Sequence, residues 1–123
     1  MRMNMKISTR LVGDVTIVDI SGRIVLGEES AALRKLVSEL LSNGHKKILF
    51  DLADVDYIDS SGLGLLVSAF TTVRKEHGQL KLLNVAKNIH DLMQMTKLYT
   101  VFDIVDDEEA AVKSFEQSAA AIV

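Results

Sequence analysis

The chain of 123 residues contains no cysteine. Thiol catalysis, thiolate metal sites and disulfide staples are therefore excluded. A chain of this length can bury a sizeable core without staples. Their absence fits a reducing compartment. Proline and tryptophan are absent too, and aromatic residues make up only 5%. The turns read below accordingly rest on glycine, asparagine and aspartate. No apolar run approaches the roughly 20 residues of a membrane span. Met1-Arg2-Met3-Asn4-Met5-Lys6 lacks the apolar core of a signal peptide. Positive charge is scarce: the net charge is −3, and no basic cluster is longer than Lys46-Lys47. Sequence-independent nucleic-acid binding needs many phosphate contacts, so such a partner is not expected. The expectation is a cytoplasmic protein with neither nucleic acid nor membrane as partner.

Hydrophobic residues make up 48% and charged residues 25%. That balance is ordinary for a folded chain. One domain over residues 1–123 is expected, with an ordered core of about 5–117. Lys6 to Leu11 and Val15 to Ser21 read as strands around a Gly13-Asp14 turn. Both faces of the second are partly apolar, so it should not be an edge. Gly22 to Gly27 reads as a connection. Glu28 and Glu29 then place negative charge at a helix start, where the dipole favours it. Leu33, Leu36, Val37, Leu40 and Leu41 recur at helical spacing from Glu29 to Leu41. Asn43-Gly44 stops that helix. Ile48 to Leu52 is nearly all apolar, as in a strand covered on both faces.

An acidic loop is expected over Ala53 to Ile58, followed by Asp59-Ser60-Ser61-Gly62-Leu63-Gly64 and a helical run from Leu65 to Lys75. Strands are expected at Leu80 to Val85 and Val101 to Val105. Short helices are expected at Lys87 to Thr96 and after Asp106-Asp107-Glu108-Glu109, with a fraying tail from Ser118 to Val123. Met93 and Met95 read as core or core edge. The order β-β-α-β-α-β-α-β-α implies an α/β layer with parallel neighbours and one antiparallel hairpin. How the helices divide between the two faces stays open.

The hexapeptide is the feature that composition does not explain. Serine or aspartate at a helix start is a common cap. Two glycines in a first helical turn are not, since each costs about 1 kcal/mol relative to alanine. They strip the helix start so that another backbone or a phosphate can come close. If Gly62 is helical, Gly62→Ala is expected to stabilise the domain by about 0.4–1 kcal/mol.

Asp59-Ser60-Ser61-Gly62-Leu63-Gly64, after a buried strand and Val55-Asp56-Tyr57-Ile58, resembles the phosphorylation motif of the anti-sigma factor antagonists of the STAS domain family. Gly22-Arg23-Ile24, the helix from Glu29 to Leu41 and Val101-Phe102-Asp103 extend the likeness over about residues 5 to 117. The family usually has an acidic residue where this chain has Val25. The resemblance implies a STAS-like fold, a mixed and mostly parallel sheet of about five strands with four main helices. It implies a bacterial signalling module, a monomer or weak dimer. Unmodified, the module binds an anti-sigma factor that is also a serine kinase, and so releases a sigma factor. The kinase phosphorylates Ser60 and binding is lost. A serine phosphatase restores it. Partner contacts would come from Asp56, Tyr57, Asp59, Ser60, Ser61, Gly62, Leu63 and Gly64, with a core role for Leu63 equally open.

The alternative within the family is an accessory subunit of a transport ATPase or sensory complex, with no phosphorylation cycle. An enzyme is not expected. A Walker loop needs a lysine where Leu65 follows Gly64, and a nucleophile elbow needs a glycine two residues before its serine. His45, His77 and His90 show no partner for a serine base. Asp51, Asp54, Asp56 and Asp59 read as a solvated acidic stretch rather than a metal site. No cofactor is expected.

Overall fold

The computed structural model describes residues 5–25 and 27–122. The side chains of Glu28, Glu29 and residues 116–122 lie outside that description, as does the stretch Met1 to Asn4. The elements are β1 (Lys6–Val12), β2 (Val15–Ile24), α1 (Glu28–Ser42), β3 (Lys47–Ile58), α2 (Ser60–Lys75), β4 (Gln79–Leu83), α3 (Lys87–Met95), a 3-10 turn (Leu98–Thr100), β5 (Asp103–Val105) and α4 (Glu108–Ile122). The five strands lie in the order β1-β2-β3-β4-β5. β1 pairs antiparallel with β2, and the remaining pairs are parallel.

Gly13 takes a positive φ of 62° at the first position of the two-residue turn, as a type II′ hairpin turn requires. The three crossovers from β2 to β5 all step the same way across the sheet. Right-handed connections then put α1, α2 and α3 on one face. Leu33 and Val37 of α1, Leu66, Ala69 and Val73 of α2, and Ile89 and Met93 of α3 bury there against Val18, Ile20, Ile48, Phe50 and Leu82. α4 returns across the opposite face. Its Ala111 and Phe115 bury against Val15, Ile17, Leu49 and Leu83. Lys81 is only 5% exposed beneath α4. Its ammonium donates to the Ser114 hydroxyl at 2.9 Å and stands 4.9 Å from the Phe115 ring centroid. Burial pushes its pKa down.

Where the apolar face under α4 ends, charge takes over. The Arg10 guanidinium reaches Asp19 and Glu108 at 2.7 Å each, and Asp51 at 3.6 Å. Arg10 holds the Glu108 carboxyl below the usual carboxylate range. Burial pushes the Asp51 carboxyl up, opposed by the N–H of Ala53 and the amide of Asn84.

The expected acidic loop is a correction. Residues 53–58 continue β3, because β2 itself runs on to Ile24 and keeps pairing with it: Ser21 with Asp54, Gly22 with Val55, Arg23 with Tyr57, Ile24 with Ile58. Two register shifts break strict alternation, so Val55 and Ile58 turn inward while Asp54, Asp56 and Tyr57 face water. The connection expected from Gly22 is shortened for the same reason. Val101 falls in a turn rather than in β5. Met95 is 82% exposed rather than core edge, because α3 ends on it and the chain departs from the sheet there. α4 continues through the segment expected to fray.

Candidate functional site

The site stands where β3 ends and α2 begins. Asp59 is extended (φ −108°), and its Oδ1 accepts from the Gly62 N–H at 2.8 Å. Its carbonyl accepts from Leu63 N at 2.9 Å, the first bond of the helix. Asp59 is thus the cap, and both serines already lie in the first turn, because α2 begins at Ser60, five residues earlier than the expected Leu65. The first N–H groups of a helix have no intrahelical partner. Asp59 satisfies that of Gly62. Those of Ser60 and Ser61 make no hydrogen bond among the described residues. Together with the helix dipole they leave partial positive charge beside the two exposed hydroxyls.

The helix divides the hexapeptide between two faces. Ser60, Ser61 and Gly64 face water; Gly62 and Leu63 face inward. Leu63 is 4% exposed and belongs to the core. A Cβ built on Gly62 would collide with the backbone carbonyl of Ile24, and would lie 2.7 Å from Ile58 Cγ1. The start of α2 therefore rests directly on the end of β2. A Cβ on Gly64 would meet nothing within 4 Å. One glycine is required by the chain's own packing, and the other is not.

Tyr57 is 42% exposed, and the Arg23 guanidinium stands 4.5 Å from its ring centroid. Such a pair is worth about 0.5–1 kcal/mol at an exposed site. Asp56 is exposed, and its carbonyl lies 3.5 Å from the Asn88 amide nitrogen at the start of α3. The structure thus gathers Asp56, Tyr57, Asp59, Ser60, Ser61 and Gly64 around one rim and sets Gly62 and Leu63 beneath it. Arg23, the Ile24 carbonyl and Asn88 were not legible as neighbours. They arrive through β2–β3 pairing and the α3 crossover, which no local spacing encodes. His45 and His77 flank the opposite end of the layer, about 24 Å away along a 16-residue helix. Neither serine hydroxyl is bonded to a histidine among the described residues.

Gly64 supplies a clean test of close approach. Gly64→Ala should raise the urea midpoint, corresponding to about 0.4–1 kcal/mol, because the helix gains propensity and meets no clash. Affinity for a partner that packs on the open face of α2 should fall about fivefold or more. Titration calorimetry checks this. Unchanged affinity in a stabilised variant would remove that face from the contact.

A family model described as the STAS domain matches residues 6–111. The anti-sigma-B factor antagonist of Bacillus subtilis is 32% identical over 111 residues, covering 90% of this chain and all of that protein. The fold is shared with an anti-sigma factor antagonist from Mycobacterium paratuberculosis at a TM-score of 0.79 and 17% identity, over 92% of this chain and 95% of that one. It is also shared with the Bacillus cell fate determinant SpoIIAA in its phosphorylated form, at a TM-score of 0.69 and 20% identity, over 89% of this chain and 98% of that one.

Proposed function

The chain belongs to the STAS domain family, and from that premise we propose that it is an anti-sigma factor antagonist switched by phosphorylation of Ser60. It is a binding module rather than an enzyme, acting in the bacterial cytoplasm. Unmodified, it docks the rim around Ser60 and Gly64 on an anti-sigma factor that is also a serine kinase, and so frees a sigma factor. The kinase modifies Ser60, the complex separates, and a serine phosphatase resets it. The observation that carries this reading is the exposed pair of serines in the first turn of α2, unbonded among the described residues, beside Asp59, Gly62 and Leu63, which the chain's own contacts hold in place.

The local physics accommodates each state. A phosphoryl group adds about −1.5 to −2 charges and three acceptor oxygens. The free N–H groups of the first turn and the helix dipole offset it, so the domain stays folded. A close-packed partner offers no such compensation. There the dianion adds to Asp56 and Asp59, and like charges with desolvation cost several kcal/mol.

The test is to capture the partner from the native host and phosphorylate the domain with it and ATP. A kinase-type anti-sigma factor, with fragment masses placing phosphate on Ser60, is the expected result. Phosphate on Ser61 alone would overturn the assignment of the acceptor. Capture of a transport ATPase with no modification would replace the switch by the accessory-subunit role.

A further inference from the structure

β1 is an edge of the sheet, and among the described residues nothing pairs with its outer side. Edge strands are usually guarded by proline, a bulge or an unpaired charge. β1 has no proline, and its pairing with β2 runs without a shift from Lys6 with Ser21 to Val12 with Val15. Its central charge is already spent: Arg10 is held by Asp19 and Glu108 at 2.7 Å each. Only Lys6, at one end, remains as a guard. Leu11 is 61% exposed.

The hydrogen-bond phase of the strand follows from its turn. The two-residue turn makes Val12 and Val15 a hydrogen-bonded pair. Alternation then turns the backbone groups of Arg10, Ser8 and Lys6 toward β2 as well. Those of Ile7, Thr9 and Leu11 face the open edge. The same three residues share one side-chain face, since Ile7 packs with the α1–α3 core while Arg10 and Val12 face α4.

We infer that β1 pairs antiparallel with β1 of a second copy of this chain, about a two-fold axis through Thr9. That register overlaps all of Lys6–Val12. It sets Thr9 opposite Thr9 and Ile7 opposite Leu11, and every outward N–H meets an outward carbonyl. Leu11 is covered by the partner copy's isoleucine. Arg10 lies opposite a serine and Lys6 opposite a valine, so no like charges face each other. Moving the axis to Arg10 would oppose two guanidinium groups, and moving it to Ser8 would leave Leu11 beyond the paired strand. The second copy is the occupant because this one register matches the strand to itself in backbone phase, keeps its two cations from facing each other and covers the exposed Leu11. Sedimentation of the chain alone reads dimerisation without the anti-sigma partner, so its failure is distinguishable from failure of the Ser60 switch.

The absence of cysteine makes the register directly testable. Opposed residues of a hydrogen-bonded antiparallel pair have Cα atoms about 5.5 Å apart, within the usual disulfide range of about 4.4–6.8 Å. Thr9→Cys should therefore oxidise to a covalent dimer much faster than Lys35→Cys on the exposed side of α1. Sedimentation of the wild-type chain from micromolar to millimolar concentration should show a monomer–dimer equilibrium. Leu11→Lys, at an exposed position, should keep the melting curve and weaken the dimer about tenfold or more. A wild-type chain that stays monomeric throughout overturns the proposal. So does a dimer indifferent to Leu11→Lys, or a Thr9→Cys chain that cross-links no faster than Lys35→Cys.

Discussion

Gly62→Ala should melt well below the wild-type domain. Helical dihedrals would ordinarily let alanine replace glycine with a gain of about 0.4–1 kcal/mol. Here the new methyl group meets the Ile24 carbonyl and Ile58 Cγ1. The carbonyl belongs to backbone at the end of β2, held by its parallel pairing of Ile24 with Ile58, so it cannot rotate away as a side chain would. Relief requires α2 to lift from the sheet, which loosens Leu63 and Leu66 beneath it. Overpacking of this kind costs about 1–3 kcal/mol, and a backbone obstacle places it at the upper end. The net expectation is a loss of about 2 kcal/mol, or a fall in melting temperature of roughly 6–12 °C. A variant as stable as wild type would show that the helix start adapts freely. The gain expected from helical geometry alone is thus reversed by a contact made across the fold.

This bears on how the site is interrogated. Reduced binding by Gly62→Ala would report a displaced helix start, not a lost contact. Gly64 is the position at which a methyl group tests the approach of a partner, because the chain itself leaves that space empty.

The two glycines also mark the limit of what spacing alone conveys. Asp59-Ser60-Ser61-Gly62-Leu63-Gly64 is local, so a capped helix start near the serines follows from it, although α2 begins at Ser60 and not at the expected Leu65. The difference between Gly62 and Gly64 is written by Ile24, a residue of a neighbouring strand. The alternation of strands and helices was legible for a similar reason: apolar periods and the Asn43-Gly44 stop are short-range signals. The continuation of β3 to Ile58 was not. The register shifts beside Ser21 and Gly22 break the period-two pattern, and exposed Asp54, Asp56 and Tyr57 then resemble a loop. The placement of three helices on one face needed the strand order, which only pairing reveals. Met95 shows the converse error: methionine reads as core edge by residue type, yet here it is the last residue of α3 and faces water.

Ser60→Asp should leave the fold intact and abolish most binding to the anti-sigma partner. The carboxylate would enter the first turn of α2, beside the free N–H groups of Ser60 and Ser61. The dipole favours it there by about 0.3–1 kcal/mol. Asp59 already stands one residue away and offsets part of that gain, so the melting temperature should stay within a few degrees. In the complex the same charge is pressed against the partner together with Asp56 and Asp59, without water to screen it. Like-charge juxtaposition there costs several kcal/mol, and a loss of about 3 kcal/mol corresponds to roughly a hundredfold weaker complex. Ser60→Asn separates charge from size, being close in shape to aspartate and neutral. It should bind within about fivefold of wild type, a difference near 1 kcal/mol. Calorimetric titration of the three proteins against the anti-sigma partner, alongside their melts, decides the matter. If asparagine and aspartate weaken binding equally, the rim excludes bulk rather than charge, and phosphorylation would act there as a steric block. If aspartate binds as well as serine, the electrostatic account of the switch fails.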